Sequence, residues 1–321
     1  MNFAIVGTNF ISDNFSVAAK EISDGNVIAV YSRASETGNA FAKKHNIERV
    51  YTDYTKMLDD ENIDAVYIAS PTMCHAEQAI LALRKKKHVL CEKMICAEYK
   101  EFPDMKLESE RSGVVLIEAM RPDFDEILMS VANNIKEIGK IKSAKFEYCQ
   151  YSSRYDKFKA GEILNAFDPK IKNSALADIG IYPLHYAISL FGSPKKITSE
   201  GEFLHNGFLG KGRSVLSYDG FDAETIYSKI HEGENVSKIT GELGEITFDK
   251  INEPTYFKLK LYGKDEKIFY ANPNKSNMKD EIYAFKDICE RDQTRAKALL
   301  EVTEKTMIAV DNIYSDLGVI F

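Results

Sequence analysis

Cysteine is sparse in this chain and forms no pattern. The five residues Cys74, Cys91, Cys96, Cys149 and Cys289 make no CxxC pair and have no His or Cys neighbours at metal-ligand spacing. Neither a disulfide framework nor a metal site is therefore expected, and the thiols read as reduced and buried. No apolar run approaches the roughly 20 residues that a membrane-spanning helix needs. The opening MNFAIVG enters a strand directly, with no basic region, apolar segment and cleavage site in succession, so a soluble, cytoplasmic protein is expected. An excess of basic charge is missing too: the net charge of -7 leaves no electrostatic footprint for nucleic acid. Internal repeats and low-complexity tracts are also absent. What remains is an ordinary globular composition, 44% hydrophobic and 28% charged, over 321 residues, enough for two domains with a sizeable core in each.

The first third alternates short apolar runs with amphipathic segments, the pattern of βαβ units and a parallel sheet. Strands are expected at 3–6, 27–31, near 50, 65–69, 88–91 and 114–117. Helices are expected at 36–45, 75–86 and 98–111, where apolar residues recur at three- and four-residue spacing. After Arg121-Pro122 the texture changes, which places a domain boundary near residue 120. A helix at 124–135, a strand at 141–150, a loop rich in aromatics and charge and a helix at 174–191 come next. Alternating runs at 195–203, 214–218, 223–229, 236–240, 245–248, 256–262 and 267–270 then read as a large, predominantly antiparallel sheet, closed by helices at 280–291 and 297–317. The expectation is α/β: a Rossmann-type parallel-sheet domain at 1–120 and an α+β domain with an open sheet at 121–321.

FAIVGTNFIS places a glycine at the end of the first strand with a helix behind it, the context of the dinucleotide fingerprint GxGxxG. The three positions are Gly7, Asn9 and Ser12, so one glycine survives. Asn tolerates positive φ better than most residues, and Ser is small enough for close helix packing. A strand-turn-helix with no ligand accounts for the same letters. The second strand ends in Tyr31-Ser32-Arg33, where an NAD-preferring fold carries an acidic residue. A hydroxyl and a guanidinium there suit a 2′-phosphate, which favours NADP while leaving NAD open; a solvated arginine at a strand end is the alternative.

With ASPTMCH after the fourth strand and CEKM after the fifth, the chain resembles the Gfo/Idh/MocA oxidoreductase family. The pieces GTNFIS, AVYSR, ASPTMCH, CEKM, EAMRPDF and DIGIYPLHYAISLFG occur in the family's order over nearly the whole chain. The resemblance implies that Gly7, Thr8, Asn9, Phe10, Ile11, Ser32, Arg33, Ser70, Pro71, His75, Glu92 and Lys93 hold the cofactor. The family's Glu-Lys-Pro motif matches Glu92-Lys93-Met94, with methionine in place of a proline that often forms a cis peptide. It makes Lys93 catalytic or substrate-orienting, and an ammonium suits that task because it polarises a carbonyl and stabilises a developing alkoxide.

Asp178, Tyr182 and His185 stand at i, i+4 and i+7 and would share one helix face, with Pro183 starting, kinking or recapping the helix. Where inositol dehydrogenase-like members carry Asp and then His, Tyr182 matches the dihydrodiol dehydrogenase and glucose-fructose oxidoreductase branch. The resemblance thus implies hydride transfer between nicotinamide C4 and a carbinol carbon. Tyr182 moves the proton, Lys93 stabilises the oxygen, and Asp178 and His185 orient substrate or tyrosine. Arg121, Tyr151 and Tyr155 are further candidates for binding a sugar- or polyol-like small molecule. A homodimer or homotetramer is expected from the open sheet. A sensor of NAD(P) or sugar, non-catalytic and of the same fold, is the competing reading; it has no need for Lys93, Asp178 and Tyr182 together.

Overall fold

Apolar strands buried on both faces, spaced by amphipathic helices, make the first of the two units into which the chain divides. The computed structural model describes residues 1–22, 25–274 and 276–319. One unit is Met1–Ala119 with Ser276–Glu301, the other Met120–Lys275 with Val302–Phe321.

In the first unit, β1 (Asn2–Val6), β2 (Asn26–Tyr31), β3 (Arg49–Tyr51), β4 (Ala65–Ile68), β5 (His88–Glu92) and β6 (Leu116–Ala119) form one sheet. Their order is β3-β2-β1-β4-β5-β6, and all pairings are parallel. Between them run α1 (Phe10–Lys20), α2 (Ser35–His45), α3 (Tyr54–Leu58), α4 (His75–Arg84) and α5 (Phe102–Ser112). Strand order reverses between β1 and β4, so the carboxyl ends of these two strands form the topological switch point at which such sheets bind ligands. Local signals end the helices: α2 stops at the left-handed Asn46 and α5 at the left-handed Gly113.

The second unit holds α6 (Glu126–Asn134), β7 (Ile141–Cys149), α7 (Tyr155–Lys159), a π-helical turn at Leu176–Gly180 and α8 (Ile181–Phe191). It continues with β8 (Lys196–Phe203), β9 (Leu209–Tyr218), β10 (Phe221–Ser228), β11 (Val236–Gly241), β12 (Gly244–Asp249), β13 (Tyr256–Leu261) and β14 (Lys267–Tyr270). The eight strands lie in the order β14-β13-β12-β11-β7-β10-β9-β8. β7 and β10 pair in parallel; the other neighbours are antiparallel. The sheet is therefore predominantly antiparallel, with one parallel pair at its centre. Two helices end the chain. α9 (Asn277–Arg291) belongs to the first unit, where Phe285 meets Phe3 of β1 with ring centroids 6.1 Å apart. α10 (Gln293–Asp316) has residues in both.

Beyond the unexpected short helix α3 and shifts at element ends, three differences from the sequence reading stand out. β9 begins at Leu209 rather than 214, because Gly210 and Gly212 look like turn residues. Gly212 is instead a point of close approach: a Cβ there would lie 2.4 Å from the Tyr227 hydroxyl oxygen. α7 lies in the stretch read as loop. The helix at 174–191 contains the π-helical turn just ahead of Pro183. Proline has no N–H to close the preceding α-turn, and the wider turn comes where that bond is lost.

Candidate functional site

The first unit's site is built at the switch point. Gly7 ends β1 at φ +103, and a Cβ there would lie 2.8 Å from the Ala69 carbonyl oxygen. Only glycine lets the backbone turn in this space. Asn9 corrects the sequence reading: its φ is -86, in the extended region rather than the positive one. It caps α1 instead, its Oδ1 accepting from the amides of Ile11 and Ser12 at 3.1 Å each, while its Nδ2 donates to Ala69 O at 2.8 Å. The Ile11 amide, expected to serve the cofactor, therefore donates to Asn9. Thr8 and Phe10 flank this cap at the N-terminus of α1. The positive end of the α1 dipole, beside a glycine with no side chain, fits a dinucleotide's pyrophosphate, although Asn9 occupies the Ile11 and Ser12 amides.

At the end of β2, Ser32 is buried, its amide donating to Tyr51 O at 3.0 Å and its hydroxyl paired with Thr37 Oγ1 at 2.6 Å. Arg33 follows and is exposed. At the end of β4, Ser70 donates its hydroxyl to Gln78 Oε1 at 2.6 Å, and Pro71 opens a 3-10 turn at Thr72–Cys74. His75, expected to hold the cofactor, is buried instead. Its Nδ1 lies 2.8 Å from Met94 O and its Nε2 2.8 Å from Ser70 O. Burial holds its pKa below the ordinary value and outweighs the two carbonyls and Glu92, which act in the opposite sense. His75 thus joins the loop after β4 to the loop after β5.

That second loop carries Glu92-Lys93-Met94. Glu92 Oε1 accepts from the Tyr67 hydroxyl at 2.5 Å, and Oε2 accepts from the Lys93 amide at 3.3 Å. Tyr67 is itself stacked on Phe15 with centroids 3.9 Å apart. Glu118 of β6 accepts from the Ile95 amide at 2.9 Å. Glu92 is a member of the loop's internal framework. Lys93 is half-buried, and the Lys93–Met94 peptide is cis without a proline.

In the second unit the π-helical turn and α8 carry Asp178, Tyr182 and His185, but not as one face. Asp178 Oδ2 accepts from Lys229 Nζ at 2.7 Å. Tyr182 is buried, edge to face with Tyr148 of β7 at 5.9 Å between centroids. His185 is 0% exposed, with Nε2 2.9 Å from Asp123 Oδ1 and Nδ1 3.2 Å from Thr306 Oγ1. The direct substrate contact expected of His185 is therefore replaced by an interior bond to a carboxylate. Asp178 and Tyr182 remain together over the paired strands β7 and β10. Gly180 permits this: a Cβ there would lie 2.6 Å from the Tyr227 ring.

Arg121 is half-buried on a 3-10 turn at Arg121–Asp123 that also supplies Asp123. Tyr151 donates to Asp156 Oδ1 and accepts from Lys159 Nζ, both at 2.7 Å. Tyr155 stacks on Phe167 with centroids 5.5 Å apart and belongs to a cluster with Phe158 and Phe208. Both tyrosines are thereby held within the stretch before α8. The residue the sequence reading missed is Lys229. Ala223, Thr225, Tyr227 and Lys229 alternate along one buried face, and a lysine at an inward register position is the signal that could have found it.

Among the described residues no helix is long and apolar enough to cross a membrane, and no cluster of His, Cys, Asp and Glu could hold a metal ion.

Residues 1–120 match the family model for Gfo/Idh/MocA oxidoreductases with an NAD-binding Rossmann fold. The chain is 41% identical over 274 residues to scyllo-inositol 2-dehydrogenase (NADP(+)) IolU of Bacillus subtilis, covering 85% of this chain and 84% of that protein. It is 26% identical to trans-1,2-dihydrobenzene-1,2-diol dehydrogenase of Mus musculus, over 79% of this chain and 76% of that one. Solved structures share the fold. Levoglucosan dehydrogenase in complex with NADH and levoglucosan aligns with a TM-score of 0.85 at 18% identity, covering 99% and 97% of the two chains. The 3-ketoreductase KijD10 of Actinomadura kijaniata with NADP aligns with a TM-score of 0.83 at 20% identity, covering 99% and 98%. The chain belongs to the Gfo/Idh/MocA family and is an oxidoreductase with an NAD-binding Rossmann fold.

Proposed function

We propose that this protein oxidises a ring hydroxyl of a cyclic polyol, or of a related sugar or diol, with NADP as the preferred cofactor and NAD as a weaker one. The observation that carries the reading is the switch-point site: Gly7 backed against Ala69, with the N-terminus of α1 above it. Exposed Arg33 beside Ser32, with no carboxylate at the end of β2, supports the 2′-phosphate. The likeness to an NADP(+)-dependent scyllo-inositol dehydrogenase supports both cofactor and substrate class.

When bound, the nicotinamide supplies the hydride acceptor; the carbinol carbon is oxidised to a carbonyl and its hydroxyl proton must leave. Tyr182 takes that proton in this proposal, and Lys93 steadies the charge on the substrate oxygen. Asp178 accepts a hydrogen bond from a substrate hydroxyl. Arg121, Tyr151 and Tyr155 complete the substrate contacts, and His185 acts at one remove through Asp123. Gly7, Thr8, Phe10, Ser70 and Pro71 line the cofactor's path. The cofactor function falls to the part near residues 1–120, and substrate binding and self-association to the remainder. A cytoplasmic homodimer or homotetramer with no nucleic-acid partner completes the reading.

The test is titration with NADPH and NADH, followed by nicotinamide fluorescence, then assay of scyllo-inositol with NADP+. Tight NADPH binding, weaker NADH binding and turnover support the proposal. Absence of binding by either nucleotide overturns it.

A further inference from the structure

Lys229 is the least ordinary charged group in the second unit. Its side chain is 4% exposed, whereas that of its partner Asp178 is 39% exposed. The backbone is fixed from two sides, its amide donating to Gly210 O at 2.9 Å and its carbonyl accepting from Ser152 at 3.0 Å. The ammonium donates to Ala166 O at 2.5 Å and to Asp178 Oδ2 at 2.7 Å. It also lies over the Phe167 and Phe208 rings, 4.8 and 5.3 Å from their centroids.

Burying an ammonium is costly unless each of its donors is met. Here a carbonyl, a carboxylate and two aromatic faces meet them, and the carboxylate reaches in from a partly accessible position four residues before Tyr182. An ion pair serving the surface alone has no need of a lysine sunk in an aromatic cluster. Paired with an ammonium, the Asp178 carboxylate accepts hydrogen bonds, and a substrate hydroxyl is the donor that suits it.

We infer that Lys229 is a positioning residue: it holds the Asp178 carboxylate aimed, so that Asp178 receives a hydrogen bond from a hydroxyl of the substrate beside Tyr182, which takes the proton in the proposed reaction. This inference rests on the proposed dehydrogenase reading.

The experiment compares wild type, K229M, K229R, D178N and the double variant D178N/K229M. For each, kcat and KM are measured with scyllo-inositol and NADP+, NADPH affinity by fluorescence, and folding by thermal unfolding. K229M should lose on the order of 100-fold in kcat/KM with NADPH affinity unchanged, and K229R should recover part of the loss. The double variant should be no slower than D178N, since Lys229 acts through Asp178. K229M within threefold of wild type, or losses that multiply in the double variant, would overturn the inference. If K229M does not fold, the comparison of D178N with D178N/K229M decides, since neither retains the ion pair. A wild-type protein that neither binds NADPH nor turns over any polyol refutes the dehydrogenase reading instead, and is thereby distinguished from failure of Lys229's role.

Discussion

Asn9 shows how one residue can change a motif without destroying its site. A glycine at that position would leave the first amides of α1 to a ligand. Asparagine claims those of Ile11 and Ser12 through Oδ1 and fastens itself to Ala69 through Nδ2. Replacing it with alanine should lower the unfolding free energy by about 1 kcal/mol, the usual worth of an N-cap, measured by urea denaturation. Tyr182 carries the sharper prediction. Tyr182→Phe keeps the ring that meets Tyr148 and removes only the hydroxyl. It should reduce kcat by on the order of 100-fold or more while NADPH affinity, read by fluorescence, is unchanged; full turnover in the variant would remove Tyr182 from proton transfer.

At the scale of elements, most strands and helices of the first unit were legible because their hydrophobic periods are clean, whereas the short α3 and the membership of Ser276–Glu301, expected in the second domain, were not. β1, β4 and β5 are apolar runs, and α1, α2 and α4 follow the helical period. What was hidden depends on contacts remote in sequence. Gly210 and Gly212 lie outside the expected strand because what they make room for, Ile230 and Leu204 at the first and the Tyr227 ring at the second, is set by tertiary packing. The interior role of His185 was concealed in the same way, because its partner Asp123 lies 62 residues earlier in the chain. Gly180 is the hinge of the π-helical turn. Gly180→Ala would drive a methyl into the Tyr227 ring, so a loss of about 1–3 kcal/mol is expected, the cost of overpacking a filled core. Displacement of the turn should lower kcat as well, checked by thermal unfolding and steady-state assay of the same preparation.

For the whole molecule, acid is the condition to probe, because several groups act in the same direction, among them His75, His88 and Asp60. His75 is held below its ordinary value of 6.5 by burial, so it favours the neutral ring in the folded state. Its contribution is present above that value and is lost as pH falls beneath it. Asp60 is also lowered: burial opposes this, but hydrogen bonds from Asn62, Tyr51 and Arg49 prevail. Its contribution is present above the ordinary 3.8 and is lost on further acidification. Urea midpoints should therefore fall in two steps, one below about pH 6.5 and another below about pH 4. His75→Gln should reduce the first step, to which the half-buried His88 also contributes, and leave the second; an unchanged first step would show that His75 has no part in it.

The division of the chain into units has a consequence for how the protein is made. The first unit begins at residue 1, yet it includes Ser276–Glu301, so Phe285 reaches Phe3, and Lys279 reaches Glu21, only after the whole second sheet has been synthesised. At about 5–20 residues per second on the ribosome, the wait between Ala119 and Glu301 is on the order of ten seconds or more. Throughout that interval the surface of α1 and Phe3 that α9 later meets is open to the chaperones that bind nascent apolar surface.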